Sequence, residues 1–507
     1  MKDNENYPLY DILPQINSLK ELVTLKSESI PNKIAFKYIR KRKEIIEKSY
    51  STFAEDVQHL GTYLYHQNFK GAHIGIVSEN SYEWIVAFMA IANSGNVAVP
   101  IDKELSEKQI HTLLKQTDCN AVFVSHNYID LVQNMRDIQI LNMQDFDVFL
   151  KLGKNLVQNG SKEFEKYEII PDKLAAIFFT SGTMGKYKGV MLSHKNIISN
   201  INSACKLFRL DGNTVSVLPF HHTFGLITAI FMVMNYGKSS FINQSIKYFQ
   251  RDILLEKPQS VFLVPMFIEN FYNRLKDNEE IIDFFGGNLE YIICGGAYLE
   301  QKYIDFFRNY GITILNGYGI TECSPVVSVN RNHYQKTNSV GYILDNFDVK
   351  ISNDNEIILK GTSITLGYYR DDVANKETFH DGWYYTGDIG YIKDNFLYIT
   401  GRKKNLIILS NGENISAEHL ESEIKNYMPY VKEVLVYAQN NMITAEVFTD
   451  NIFKTETQIK RDIADLNITL PQNQNICSVI VRKKEFAKTT TRKIIRSTNY
   501  GGENSDD

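Results

Sequence analysis

The sequence predicts an α/β protein, with a large amino-terminal domain of layered sheets and helices and a small carboxy-terminal α+β domain. Three observations predict it. Strand-like apolar segments alternate with helix-periodic ones as far as Ile320, the pattern of largely parallel sheets covered by helices. From Ser339 to Ile408 short strands and turns take over and helices become rare, which we read as a distorted β-barrel-like part. From Asn405 onward a compact unit of about 100 residues carries its own helices and strands. A chain of 507 residues with 43% hydrophobic composition can bury a large core and is expected to divide into domains. The expected division is 1–401 for the large domain and 402–500 for the small one, with a hinge around 402–405 and a disordered tail over 501–507.

The elements follow in order. Segments 34–40 and 73–77 read as strands. Between them Ser51–Gln67 spaces Phe53, Val57, Leu60 and Leu64 at helical intervals. Ser81 is placed to cap a helix carrying Trp84, Phe88 and Ala92, and Ser106 precedes one carrying Ile110, Leu113 and Leu114. Ala121–Val124, Thr214–Leu218, Ser260–Val264, Leu289–Cys294 and Gly311–Leu315 read as buried strands. In the small unit Ala417–Tyr427 and Thr457–Leu466 read as helices, and Val431–Tyr437, Ile443–Phe448 and Ile476–Val481 as strands.

Composition excludes several function classes. Net charge is −4, so no nucleic-acid footprint is present. The short basic run Arg40–Lys43, followed by Glu44, reads as a solvated hairpin end. Five cysteines are scattered without a CxxC pair, which suits neither a disulfide framework nor a zinc site and fits a reducing, cytoplasmic setting. The amino terminus is polar, and no apolar stretch reaches the roughly 20 residues of a membrane span. Any membrane contact is expected to be peripheral.

Chemistry concentrates in a few segments. At Phe178–Val190 (FFTSGTMGKYKGV) a strand-like run ends in Thr180, Ser181, Gly182 and Thr183, with Gly185, Lys186 and Lys188 behind them. Such a loop offers backbone N–H groups, hydroxyls and lysine charge to a polyphosphate, although it lacks the Walker A spacing. At Asn316–Pro325 (NGYGITECSP) two glycines flank Tyr318, and Thr321 and Glu322 follow. A carboxylate beside a phosphate loop makes sense mainly through a hard cation such as Mg²⁺. Asp388, in GWYYTGDIG, is suited to accept bonds from sugar hydroxyls. Arg402–Asn405 lies between two apolar strands at the change of composition, as a hinge would. The basic segment Phe486–Arg496 (FAKTTTRKIIR) suits a flexible loop delivering one lysine to an anion. Each segment alone reads equally as a surface turn.

Together, with LPFHHTFG at Leu218–Gly225 and CGGAYL at Cys294–Leu299, they resemble the adenylate-forming superfamily of acyl-CoA synthetases, adenylation domains and luciferases over nearly the whole chain. TECSPVVSVN at Thr321–Asn330 and LSNGENIS at Leu409–Ser416 are most similar to bacterial long-chain fatty-acid CoA ligases. The resemblance implies ATP, Mg²⁺ and CoA as the small molecules of the reaction. It implies that Thr180, Ser181, Gly182, Thr183, Gly185 and Lys188 clamp the β- and γ-phosphates. Gly295, Gly296 and Ala297 would line the adenine and acyl site, with Tyr318 and Gly319 against the purine. Thr321 would touch the α-phosphate, and Glu322 with Thr183 would hold the metal. Asp388 and Arg402 would bind the ribose. Lys493 would be the catalytic lysine of adenylation, and Lys404 the hinge about which a small mobile domain rotates. Phe220, His222, Phe224 and Gly319 would border the acyl pocket, His222 close enough to count among the catalytic groups.

The chain departs from the family pattern at Met184, Tyr187, Arg492 and Ala417, none of which removes a charged or polar participant, so an active enzyme is expected. No aspartate stands near Phe220–Phe224 to hold a substrate amine. A medium- or long-chain fatty acid is therefore the expected donor, with free CoA as acceptor. Transfer of an acyl or aryl acid to the phosphopantetheine arm of a carrier protein is the second reading, and a non-catalytic interaction protein the third.

Overall fold

The computed structural model describes residues 9–10, 13–40, 44–181, 187–277, 281–408, 414–439, 442–488, 494 and 496. They form two compact units. The larger comprises 1–348, 359–384 and 393–397, and the smaller 349–358, 385–392 and 398–507.

Two sheets build the larger unit. In the first, the strands run in the spatial order Gln139–Asn142, Cys119–Val124, His73–Val77, Val97–Pro100, Leu174–Ser181, Tyr187–Ser193. All neighbours are parallel except the last pair, an antiparallel hairpin. The second sheet carries a parallel run through Ile34–Ile39, Ser240–Ile242, Thr214–Ser216, Ser260–Leu263, Tyr291–Cys294 and Thr313–Gly319, and then turns antiparallel at Val326–Val329. The α/β expectation therefore holds for the large domain. Central parallel strands such as Val97–Pro100 and Ser260–Leu263 are buried along their length, as strands covered on both faces must be, whereas the edge strand Gln139–Asn142 is partly exposed.

Local chemistry explains the helices between them. Ser49, Ser81 and Ser106 each accept a hydrogen bond from an N–H of the first turn, and Ser106 completes a capping box with Gln109. The helix Tyr82–Asn93 is buried on every side, with Trp84 stacked on Phe88 at 5.8 Å. Arg40 N–H donates to the Glu44 carbonyl at 2.9 Å, and residues 41–43 of the basic run lie outside the described residues. The described cysteines are free thiols, four buried and Cys477 exposed.

The smaller unit has a three-stranded sheet ordered Glu433–Gln439, Met442–Phe448, Ser478–Arg482, antiparallel and then parallel. Helices Ala417–Tyr427 and Glu456–Asn467 pack their Leu420, Ile424, Ile459 and Ile463 faces into one core with Val434, Val436, Ala445 and Val447. This is the α+β unit that the sequence predicts. Among the described residues no helix is long and apolar enough to cross a membrane.

Candidate active site

In the larger unit the candidate residues gather at the carboxyl ends of adjacent parallel strands, where open α/β sheets bind ligands. Thr214–Ser216 leads to Phe220–Phe224, Tyr291–Cys294 leads to Gly295–Ala297, and Thr313–Gly319 leads to Thr321 and Glu322. Gly296 has φ +89°, a left-handed conformation that excludes most side chains. A Cβ on Gly319 would stand 2.3 Å from the Pro325 carbonyl oxygen, so only glycine permits the close turn that follows Tyr318. Tyr318 belongs to the strand itself, which runs four residues past the expected end at Leu315.

The phosphate-loop expectation gains a geometry. Thr180 and Lys188 are direct cross-strand partners in the hairpin Leu174–Ser181/Tyr187–Ser193. The strands on either side of residues 182–186 therefore pair antiparallel. Gly182, Thr183 and Gly185 lie outside the described residues, as does the side chain of Ser181. Segment 365–369 lies along the second strand: Met191 N–H donates to Gly367 O at 3.0 Å, and Tyr369 N–H to Gly189 O at 2.8 Å. Tyr368 is thereby delivered beside Lys188, whose Nζ sits 4.8 Å from its ring centroid. The Tyr368 hydroxyl donates to Glu322 Oε1 at 2.9 Å and lies 3.4 Å from the Tyr384 hydroxyl. Burial and the Glu322 carboxylate push the phenol of Tyr368 far above its ordinary range, so it stays a donor.

The turn carrying Glu322 is pinned from several directions. Buried Asn200 donates to the carbonyls of Cys323 at 3.0 Å and Val326 at 2.7 Å and accepts from Val326 N–H at 3.1 Å. Ser324 donates to Ser363 O at 2.9 Å, and Thr365 N–H donates to Glu322 O at 2.8 Å. Among the described residues no cluster of three or more His, Cys, Asp or Glu side chains is placed to hold a metal ion. One carboxylate completed by phosphate oxygens and water is the ligand set that suits Mg²⁺, and Glu322 fits it.

At the acyl segment, Asn80 holds the turn by donating to Leu218 O at 2.8 Å and accepting from Phe220 N–H at 3.0 Å. Phe220 is fully buried, edge-on to Trp84 at 5.5 Å. Phe224 opens a π-helix, Phe224–Met232, and packs edge-on to Phe262 at 6.3 Å. His222 is half-buried beside His221, with ring centroids 4.3 Å apart. The fold also brings a carboxylate to this segment from a distant part of the chain. Asp102 Oδ2 stands 3.6 Å from His221 Nε2. Burial, with Lys103 nearby, holds His221 down to about 3, so the imidazole is neutral at pH 7 and the contact is not an ion pair.

In the smaller unit, Asp388 lies inside the strand Trp383–Lys393 and is 2% exposed. Arg402 Nε reaches its Oδ1 at 2.9 Å. The next residue, Lys403, is held by Glu356 at 2.8 Å and Asp354 at 2.6 Å, and Glu356 also accepts from Gly387 N–H at 2.8 Å. Lys403–Asn405 is one short 3₁₀ turn with Lys404 at its centre, exposed. Lys493 lies outside the described residues, but its flanks do not. Lys488 bridges to Ile494 antiparallel, and Ile494 packs on Leu435, Tyr437, Phe448 and Phe486. Arg496 Nη2 reaches Glu421 Oε2 at 2.5 Å. Lys432 is paired to Asp450 at 3.1 Å and Glu485 at 2.7 Å, while Lys483 and Lys484 are exposed.

Burial pushes the Glu421 carboxyl up from 4.5 to about 6, against the opposing pull of Arg496. A raised folded pKa means that the native state takes up this proton first as pH falls. The group's penalty on stability is therefore present above about pH 6 and is relieved on descending to about 4.5. Urea melts of the wild type and of Glu421→Gln at pH 7 and pH 4.5 are expected to differ by about 2 kcal/mol in their pH response, the wild type gaining more on acidification. A pH-independent difference between the two proteins would refute this.

Glu356, Lys403, Tyr368, Asn200, Asn80 and Asp102 escaped the sequence reading. Only Lys403 carried a signal, since it sits within the GRKKN run.

A profile of the AMP-binding enzyme family matches residues 25–369. The chain belongs to that family. It is 26% identical over 428 residues to a long-chain-fatty-acid–CoA ligase of Mycobacterium bovis, covering 72% of this chain and 71% of the relative. A long-chain-fatty-acid–CoA ligase of Escherichia coli O6:H1 is 23% identical over 483 residues, 84% of each chain. Among solved structures, o-succinylbenzoate CoA synthetase of Bacillus subtilis with its acyl-adenylate intermediate superimposes with TM-score 0.80 at 20% identity, covering 96% of this chain and 99% of that one. A Mycobacterium tuberculosis fatty acyl CoA synthetase gives 0.72 at 22%, covering 94% and 96%. At these identities the structural matches establish the fold.

Proposed function

We propose that this protein is an AMP-forming acyl-CoA synthetase that activates a medium- or long-chain fatty acid. The observation carrying the reading is the placement of Lys188 and Glu322 on either side of one tyrosine at the strand ends of an AMP-binding family fold. A carboxylate is a poor acyl donor because its oxygen leaves badly. Its oxygen attacks the α-phosphorus of ATP, the bond to pyrophosphate breaks, and acyl-AMP forms. The thiol sulfur of CoA then attacks the acyl carbonyl and AMP leaves. Bound Mg²⁺ neutralises charge on the phosphates.

Lys188 and Thr180 face the β- and γ-phosphates in this scheme, with Ser181, Gly182, Thr183 and Gly185 of the same loop. Glu322 holds the metal. Tyr318 and Gly295–Ala297 border the purine, and Asp388 with Arg402 the ribose. Lys493 meets the charge that gathers at the α-phosphorus. The large domain spans 1–401 and the small one 402–500, and rotation near Lys404 exchanges Lys493 for the thiol. The cytoplasm, where ATP and reduced CoA are available, is the compartment this reaction suits.

The test is thioester yield from acids ranging from acetate to palmitate, and from benzoate, with either free CoA or a pantetheinylated carrier protein. The expected optimum lies among medium or long chains with free CoA. An optimum at benzoate or acetate overturns the donor. Turnover with the carrier and none with CoA overturns the acceptor.

A further inference from the structure

Tyr368 is 3% exposed and belongs to none of the motifs that mark this site in the sequence. Its two ends address two different charges. The hydroxyl donates to Glu322 Oε1 at 2.9 Å, and the ring lies under Lys188 Nζ at 4.8 Å from its centroid. Its backbone is fixed as well. Asn375 Oδ1 accepts from Tyr368 N–H at 2.7 Å, Asn375 Nδ2 donates to Tyr368 O at 3.0 Å, and Tyr368 bridges to Val190 in the strand that carries Lys188. A buried aromatic held at both its backbone groups has little freedom to turn.

We infer that Tyr368 is a positioning residue that sets the metal-binding carboxylate and the phosphate-binding ammonium at a fixed separation. This rests on the functional reading given above. The hydroxyl engages one oxygen of Glu322 and restricts the rotation of its carboxylate. The ring seats the lysine charge without neutralising it, because a quadrupole attracts a cation but carries no net charge. A carboxylate in that place would pair with Lys188 and compete with the phosphate. An aliphatic residue would leave both groups to wander.

The two functions separate by substitution. Tyr368→Phe keeps the ring and deletes the hydroxyl, whereas Tyr368→Leu deletes both. ATP binding to the purified full chain is titrated calorimetrically in EDTA and in saturating Mg²⁺, with melting temperature recorded in parallel. Tyr368→Phe is expected to bind ATP in EDTA within about twofold of wild type, since its cation–π seat is intact. The factor by which Mg²⁺ tightens binding is expected to fall roughly tenfold, the scale of one hydrogen bond to a charged group. Tyr368→Leu is expected to show the same loss and, in addition, roughly fivefold weaker binding in EDTA. An unchanged Mg²⁺ factor in Tyr368→Phe overturns the inference. So does an equal loss of EDTA binding in both variants together with an equal fall in melting temperature, which marks a packing role only. Neither titration contains a fatty-acid substrate or CoA. ATP binding that persists while no fatty acid supports pyrophosphate exchange therefore overturns the functional reading and leaves the tyrosine assignment standing.

Discussion

Lys493→Ala is expected to lower fatty-acid-dependent ATP–pyrophosphate exchange by roughly 10²-fold or more, the scale for losing a charge that is stabilising only in the transition state. Given preformed acyl-adenylate, the same variant is expected to form thioester at close to the wild-type rate. The flanks of the segment argue for a positioned group rather than a loose tail. Phe486 N–H is held by Glu433 at 2.8 Å, Lys488 bridges to Ile494, and Arg496 is anchored to Glu421 and to the Val436 carbonyl. Equal loss in both half-reactions would remove Lys493 from its assigned role.

Lys404→Pro is expected to spare adenylation within about threefold and to slow thioester formation roughly tenfold or more. Proline locks φ at 404 near −65° and biases Lys403 away from helical backbone. In the present conformation Arg402 is extended and Lys403–Asn405 makes one 3₁₀ turn, so the rotation assigned to this point requires those torsions to change. Lys404 stands at the centre of that turn and is exposed, so its torsions are among those that must change. Stopped-flow measurement of each half-reaction checks this. A proline variant that completes both steps at wild-type rates places the hinge elsewhere.

Periodicity and capping made much of the fold legible. Ser81 and Ser106 precede apolar residues at helical spacing and do cap those helices, whereas the helix read from Ser51 begins at Tyr50 and is capped by Ser49. Strand ends were less legible. Gly317–Gly319 reads as a turn by composition yet continues the strand, because pairing with Val326–Val329 supplies its hydrogen bonds. The phosphate loop was visible as glycines and hydroxyls, but its hairpin nature depends on the pairing of Thr180 with Lys188 across the loop. What stayed hidden has a common cause. Asn200 serves carbonyls more than 120 residues away, Tyr368 serves a carboxylate 46 residues back, and Asp102 reaches a histidine far along the chain. None of these residues carries a local pattern, because each is chosen by a neighbour that only the tertiary structure brings to it. The absence of an aspartate near the acyl segment was a statement about sequence distance. In space Asp102 lies against His221, spent on a neutral ring rather than presented to a ligand.

The dependence of Lys188 and Glu322 on Tyr368 also orders events in time. The ribosome releases Lys188 about 180 residues before Tyr368, an interval of roughly 10–40 s at ordinary elongation rates. Throughout that interval the nascent chain holds the hairpin of the phosphate loop without the segment that pairs with its outer strand. A chain released between residues 322 and 368 would carry the glycine-rich loop and the carboxylate with no tyrosine to orient it. Nucleotide-dependent protection of the nascent chain from proteolysis should therefore begin only after residue 368 has left the ribosome.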